Sequence, residues 1–126
     1  MNIQKIRALA DYIEKNKRTF NMGDANYCIV GFGLKMDGQI GFYDAEEGGI
    51  GGFAARFDVD PGWTYALFSG RLHGKHSHGP AGSAALLREL ANAEEAKQPK
   101  TIPIEDKSVG PIAMTVAIRT KELVPA

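Results

Sequence analysis

The chain has little cysteine, no net charge and no long apolar run, and each lack removes a class of answer. A single thiol, Cys28, cannot close an internal disulfide, so nothing marks a secreted disulfide scaffold. Cys28 lies in the apolar run Tyr27-Cys28-Ile29-Val30, with nothing electropositive beside it, and reads as a buried, inert thiol rather than a nucleophile. Lys and Arg together number 15, and so do Asp and Glu, so no global field draws the chain to nucleic acid, anionic lipid or an acidic partner. Any such attraction must come from a local patch. No apolar stretch approaches the length of a membrane span, and the amino-terminal segment has no signal-peptide core. A cytoplasmic location without a membrane partner is expected. No Ser-His-Asp order or paired-carboxylate spacing stands out; Glu46-Glu47 and Glu94-Glu95 are only chain neighbours. No cofactor is implied.

What remains fits one folded domain. With 126 residues, 44% of them apolar, the chain can bury a core without disulfides or metal. Ile3, Ile6, Leu9, Ala10 and Ile13 recur at helical spacing and predict a helix over 2–18 with Asn2 as its cap. Asp11 with Lys15, and Glu14 with Arg18, are placed for i,i+4 pairing on its polar face. Phe20 and Met22 should fold back on this helix. Residues 25–36 are apolar almost all round. They read as a buried helix, with a hairpin turning at Asp37-Gly38 as the competing reading. Residues 46–52 read as a loop and Phe53–Phe57 as a short helix. Asp60 caps a helix opening at Pro61 and running to about Ser69. Another helix starts at Pro80 or Ser83 and runs to about Lys97. In the tail, Ile112, Met114, Val116 and Ile118 alternate with Ala113, Thr115, Ala117 and Arg119, a strand pattern that residues 101–104 could pair with. The expected fold is therefore α+β: one mainly helical domain over 1–126, with four or five helices in 1–98. A strand-bearing tail over 99–126 would form a small antiparallel sheet.

Three constellations invite chemistry. His73, His76 and His78 fall within six residues, which suits a transition metal if rigid elements fix the rings. Here they sit in a loop with Gly74, Gly79 and the repelling cation Lys75, and no metal is expected. Convergence of the three in a deep pocket with a carboxylate would instead mark a metal-dependent enzyme. A middle reading makes Arg71, His73, Lys75, His76 and His78 a partner-binding patch that strengthens below about pH 6.5 as imidazoles protonate.

Gly49-Ile50-Gly51-Gly52-Phe53-Ala54 matches a loose G-x-G-x-x-A. Glu46 and Glu47 would repel a pyrophosphate and no βαβ unit surrounds it, so the glycines serve a tight loop. Phe53 to Arg71 resembles a helix-turn-helix of the phage-repressor type. Ala54 would stand at the helix crossing, and Phe57, Val59 and Leu67 between the helices. Arg56, Gly62, Trp63, Tyr65 and Arg71 would be the DNA-facing residues. Asp58 replaces the usual turn glycine, Thr64 a branched apolar residue, and Asp58 and Asp60 would oppose phosphates. Two short helices packing a core are the plainer reading.

Three segments resemble a group of small bacterial and phage proteins of no established activity. They are Ile6-Arg7-Ala8-Leu9-Ala10-Asp11-Tyr12-Ile13-Glu14, Phe20-Asn21-Met22-Gly23 and Cys28-Ile29-Val30-Gly31. The group's pattern is a helix, a Phe-Asp-Met turn, and Cys-x-x-Gly opening an apolar helix. Ala66-Leu67-Phe68 and Ala85-Leu86-Leu87-Arg88-Glu89-Leu90 fit its later helices. The likeness spans residues 3–92 and departs from the pattern in Asn21 and in the Gly-rich middle. It implies helix over hairpin at 25–36 and packing helices over 50–69. It carries no activity.

The sequence alone therefore sets no reaction. It leads to a non-enzymatic binding protein acting on a macromolecular partner, in the manner of a small phage or bacterial regulator or inhibitor. Its exposed Gly-rich and His-rich loops would be the contact surface. A protein partner is expected, with nucleic acid the alternative. Oligomeric state stays open.

Overall fold

The computed structural model describes residues 1–39, 41–44 and 46–98. In them the chain forms α1 (Ile3–Lys15), α2 (Ile29–Met36), α3 (Gly49–Phe57), α4 (Pro61–Phe68) and α5 (Pro80–Lys97). No strand occurs among the described residues, so the α+β expectation is corrected to a helical domain. Among them, the run that could also have made a hairpin, residues 29–36, closes into a helix that Asp37-Gly38 merely ends. The segments expected to supply the sheet, 101–104 and 112–118, lie outside the described residues. No helix among the described residues is long and apolar enough to cross a membrane.

α1 begins where Asn2 Oδ1 accepts the Lys5 backbone N–H at 3.1 Å. Its Ile6, Leu9, Ala10 and Ile13 are fully buried, as their spacing requires. The helix ends at Lys15, short of the expected Arg18. Asn16 takes the C-cap, and its side-chain amide donates to the Tyr12 carbonyl at 2.9 Å. α5 packs along α1 more extensively than any other pair of helices meets. The two run antiparallel, since Arg7 meets Glu95 while Glu14 meets Arg88.

That second contact corrects the polar-face expectation. Asp11 and Glu14 do not turn to Lys15 and Arg18. Both grip Arg88 of α5, at 2.6 Å from Asp11 and at 2.8 and 3.0 Å from Glu14.

α2 is helical because its glycines let it lie against its neighbours. A Cβ on Gly31 would stand 2.3 Å from the Ala25 carbonyl oxygen, and one on Gly33 would stand 2.4 Å from the Phe53 ring. Phe32 at its centre receives Tyr12, Phe20 and Tyr27 edge-on, at 5.6, 5.4 and 6.4 Å between centroids. Phe20 thus folds back onto the α1–α2 core, as expected. One hydrophobic cluster draws on all five helices, through Leu9, Val30, Phe53, Leu67 and Leu87 among others. Each such side chain contributes about 1.5–3 kcal/mol by leaving water.

The glycines at 49–52 are a second correction. They are not loop but the opening turns of α3. A Cβ on Gly52 would be 2.0 Å from the Glu47 carbonyl oxygen, so only bare backbone lets the preceding loop fold over the helix start. Asp58 then reverses the chain in the left-handed conformation (φ 54°, ψ 55°), where glycine is usual and Asp is one of the few residues that follows it. Asp60 caps α4 by accepting the N–H groups of Gly62 and Trp63 at 2.8 and 3.2 Å. Thr64 fits an apolar site because its hydroxyl donates to the Asp60 carbonyl at 3.0 Å.

Candidate partner surface

Tyr43 and Tyr65, 75% and 52% exposed, are the most exposed large apolar side chains among the described residues. One row of aromatic contacts joins them. Tyr65 leans on Phe68 one turn later in α4, at 6.4 Å between centroids. Phe68 stacks on Phe42 at 4.8 Å, with the planes 18° apart. Phe42 meets Tyr43 edge-on at 5.2 Å. Arg71 closes the far end, its guanidinium 5.5 Å from the Tyr65 centroid. Phe42 and Phe68 are half-buried against the core, so the strip rests on a rigid base.

The near end is also anchored. The Phe42 N–H donates to Asn26 Oδ1 at 2.9 Å, which ties this loop to the turn before α2. Beside that turn, Lys35 Nζ lies 3.7 Å from the centre of the Tyr27 ring. The strip thus carries a cation stacked on a tyrosine at its Arg71 end and an exposed tyrosine at the other, with a phenylalanine pair between. Tyrosine and arginine on an apolar floor are the side chains that dominate protein interfaces.

Of the residues named from sequence, the structure brings Tyr65 and Arg71 together here. The others scatter. Gly62 is exposed, whereas Trp63 is half-buried and packs against the core. Arg56 is drawn inward between Asp37 and Glu47. Lys5 joins this network through Asp37 and the Arg56 carbonyl. The first N–H groups of α4 are taken by the Asp60 carboxylate, so the start of a would-be recognition helix shows negative charge where a duplex has phosphate.

The histidines do not converge. His73 is buried, stacked on His78 with centroids 4.4 Å apart and planes 19° apart. Its Nε2 lies 2.9 Å from the Ser83 hydroxyl. His76 turns away to the Glu89 carboxylate. His73, Lys75, His76 and Glu89 line a small open pocket of about 170 Å3 that does not include His78. Among the described residues no group of three or more His, Cys, Asp or Glu side chains is set to hold a metal ion. Burial first, and then the neighbouring charge of His78, hold the His73 imidazole below its ordinary pKa. Cys28 is fully buried and burial pushes its thiol pKa up, which keeps it a protonated and unreactive group. A larger open cleft, about 350 Å3, lies between Glu46, Glu47 and the exposed side of α3, with the Arg56–Glu47 ion pair on its wall.

Phe42, Tyr43 and Phe68 were not among the sequence candidates. The spacing of Tyr65, Phe68 and Arg71 does put them on one face of α4 and its continuation. Nothing local links them to Phe42 and Tyr43.

No protein-family model, no curated protein and no solved structure matches the chain.

Proposed function

We propose that the chain is a non-enzymatic binding protein that engages a protein partner through the strip Tyr43–Phe42–Phe68–Tyr65–Arg71, as a small regulator or inhibitor would. The observation that carries this reading is the unbroken row of ring contacts between two exposed tyrosines, seated on the core and ended by a stacked arginine. Ordering two exposed rings costs free energy unless something covers them; here their neighbours hold them in place beforehand, which lowers the cost of binding. Arg71 belongs to both the loop patch and the helix-turn-helix candidates, and this reading gives it a role without either.

Affinity capture from a lysate of the encoding organism tests it. The wild-type chain and a Tyr43→Ser/Tyr65→Ser double variant are compared, with and without nuclease. Both rings are exposed, so the variant should melt near the wild-type temperature. The proposal expects a protein retained by the wild type in near-equal amount, insensitive to nuclease, and lost from the variant. Nuclease-sensitive retention would favour DNA binding through Arg56, Gly62, Trp63, Tyr65 and Arg71 instead. Retention equal in both proteins would remove the strip from the account.

A further inference from the structure

Three histidines hold the loop from Gly70 to Gly79: His73 and His76 fasten it to α5, and His78 closes it on itself. His73, 1% exposed, places Nε2 against the Ser83 hydroxyl of α5 and its ring face against His78. Its Nδ1 is buried without a hydrogen-bond partner among the described residues. His78 Nε2 donates to the Gly70 carbonyl at 3.3 Å, which closes the loop on its own start. Gly70 makes that closure with φ +81°, and a Cβ there would stand 2.9 Å from the same nitrogen. The Ser77 backbone seats directly on Gly82 of α5, where a Cβ would be 2.2 Å from the Ser77 carbonyl oxygen. His76 pins the loop again through Glu89.

A neutral imidazole fits this site and an imidazolium does not. Protonation would put a second N–H on His73 at Nδ1, which makes no hydrogen bond among the described residues, and a charge on a ring that is almost wholly buried. Burial outweighs what the groups facing it offer. From its own loop these are the His78 and His76 rings, the Lys75 cation, and the Gly70 carbonyl, which favours the proton but already accepts from His78 and from the His73 backbone N–H; from α5 they are the neutral Ser83 and Glu89, which His76 already holds.

We propose that the His73–His78 stack is a proton-sensitive latch. It keeps the α4–α5 loop closed at neutral pH and opens it in mild acid, carrying Arg71 off the Tyr65 ring. The opening stands on the loop geometry alone; its consequence for partner binding rests on the strip being the partner surface.

The test is an NMR titration of the full chain from pH 8 to pH 5. It follows the three imidazole rings, the amides of Gly70, Gly74 and Gly79, and the Arg71 side chain. His73 should titrate below the ordinary histidine value of about 6.5, and the three glycine amides and Arg71 should shift with its midpoint. His78→Gln should raise that midpoint by removing the neighbouring imidazole, and His76→Gln should raise it less, since its ring is the weaker of the two neighbouring influences. An ordinary His73 midpoint, or loop amides that follow His76 instead, would overturn the latch. Loss of the Ile13 and Leu87 methyl signals in the same step would overturn it too, because the acid event would then be global unfolding. If the latch titrates as expected but nothing is captured from lysate, only the partner reading falls.

Discussion

Phe42 and Phe68 stack nearly parallel, 4.8 Å between ring centres, and this contact joins the loop after α2 to the last turn of α4. The strip is continuous because of it. Without it Tyr43 and Tyr65 would be two isolated exposed rings, each of no significance by itself. Aromatic pairs of this kind are worth about 0.5–1.5 kcal/mol beyond the area they bury. A double-mutant cycle with Phe42→Leu and Phe68→Leu, read by urea denaturation, should return a coupling energy in that range. Independent effects would mean that the two elements pack separately.

Gly31 of α2 and Gly51 of α3 should respond to alanine with opposite signs. Gly31→Ala drives a Cβ into the Ala25 carbonyl, which is backbone and cannot step aside. It should destabilise the fold by about 1–3 kcal/mol. Gly51 lies in α3 and a Cβ there meets nothing within 4 Å. Gly51→Ala should stabilise by about 0.5–1 kcal/mol, since it removes conformational freedom from the unfolded chain only. Thermal melts of the two variants check both signs.

The grip of Arg88 on α1 has a pH signature. Hydrogen bonds from Arg88 hold the Glu14 carboxyl below its ordinary pKa. A depressed acid contributes stability above its unfolded pKa and loses it as pH falls through the folded value. In Arg88→Ala the Glu14 pKa, followed by NMR of its carboxyl carbon, should return upward to the ordinary carboxylate range. The size of the stability loss should shrink with added salt, because the carboxylates are exposed. An unmoved Glu14 titration would show that the contact does not persist in solution.

His73 acts in a higher pH window than Glu14. Its pKa is depressed in the fold, so the unfolded chain takes the proton first. The stability contributed by the neutral ring is complete above about pH 6.5 and is lost as pH falls through the folded value. The melting temperature should therefore drop between pH 7.5 and 5.5. Ser83→Ala leaves His73 Nε2 buried without its partner and should cost about 1–3 kcal/mol at pH 7.5. A flat melting profile over that interval would contradict the buried neutral ring.

Local signals carried much of this fold. Asn2, Asp60 and Pro61 announced their helix starts by capping chemistry, and the Ile6-Leu9-Ile13 period marked the face that is buried. What local signals could not carry were choices between partners. Glu14 sits at pairing distance from Arg18 on paper, but α5 brings Arg88, whose fork binds Asp11 and Glu14 together, and the bidentate site wins. The glycines at 49–52 read as a loop because glycine disfavours helices. The overlap at Glu47 that only Gly52 avoids appears once the chain is folded. The histidines looked like an outer working surface because loops of that composition are usually wet, yet Ser83 and His78 take His73 into the interior. The strip stayed hidden for a similar reason. Phe42 and Phe68 belong to different elements, and only the fold stacks them.

Site-specific photocrosslinking tests the partner surface most directly. A crosslinking residue is placed at Tyr43, at Tyr65 and, as the control, at Ala93 on the exposed side of α5, and each protein is irradiated in nuclease-treated lysate. Positions 43 and 65 should give the same protein adduct and position 93 none. An adduct from 93 alone, or equal adducts from all three positions, would contradict a partner surface on the strip.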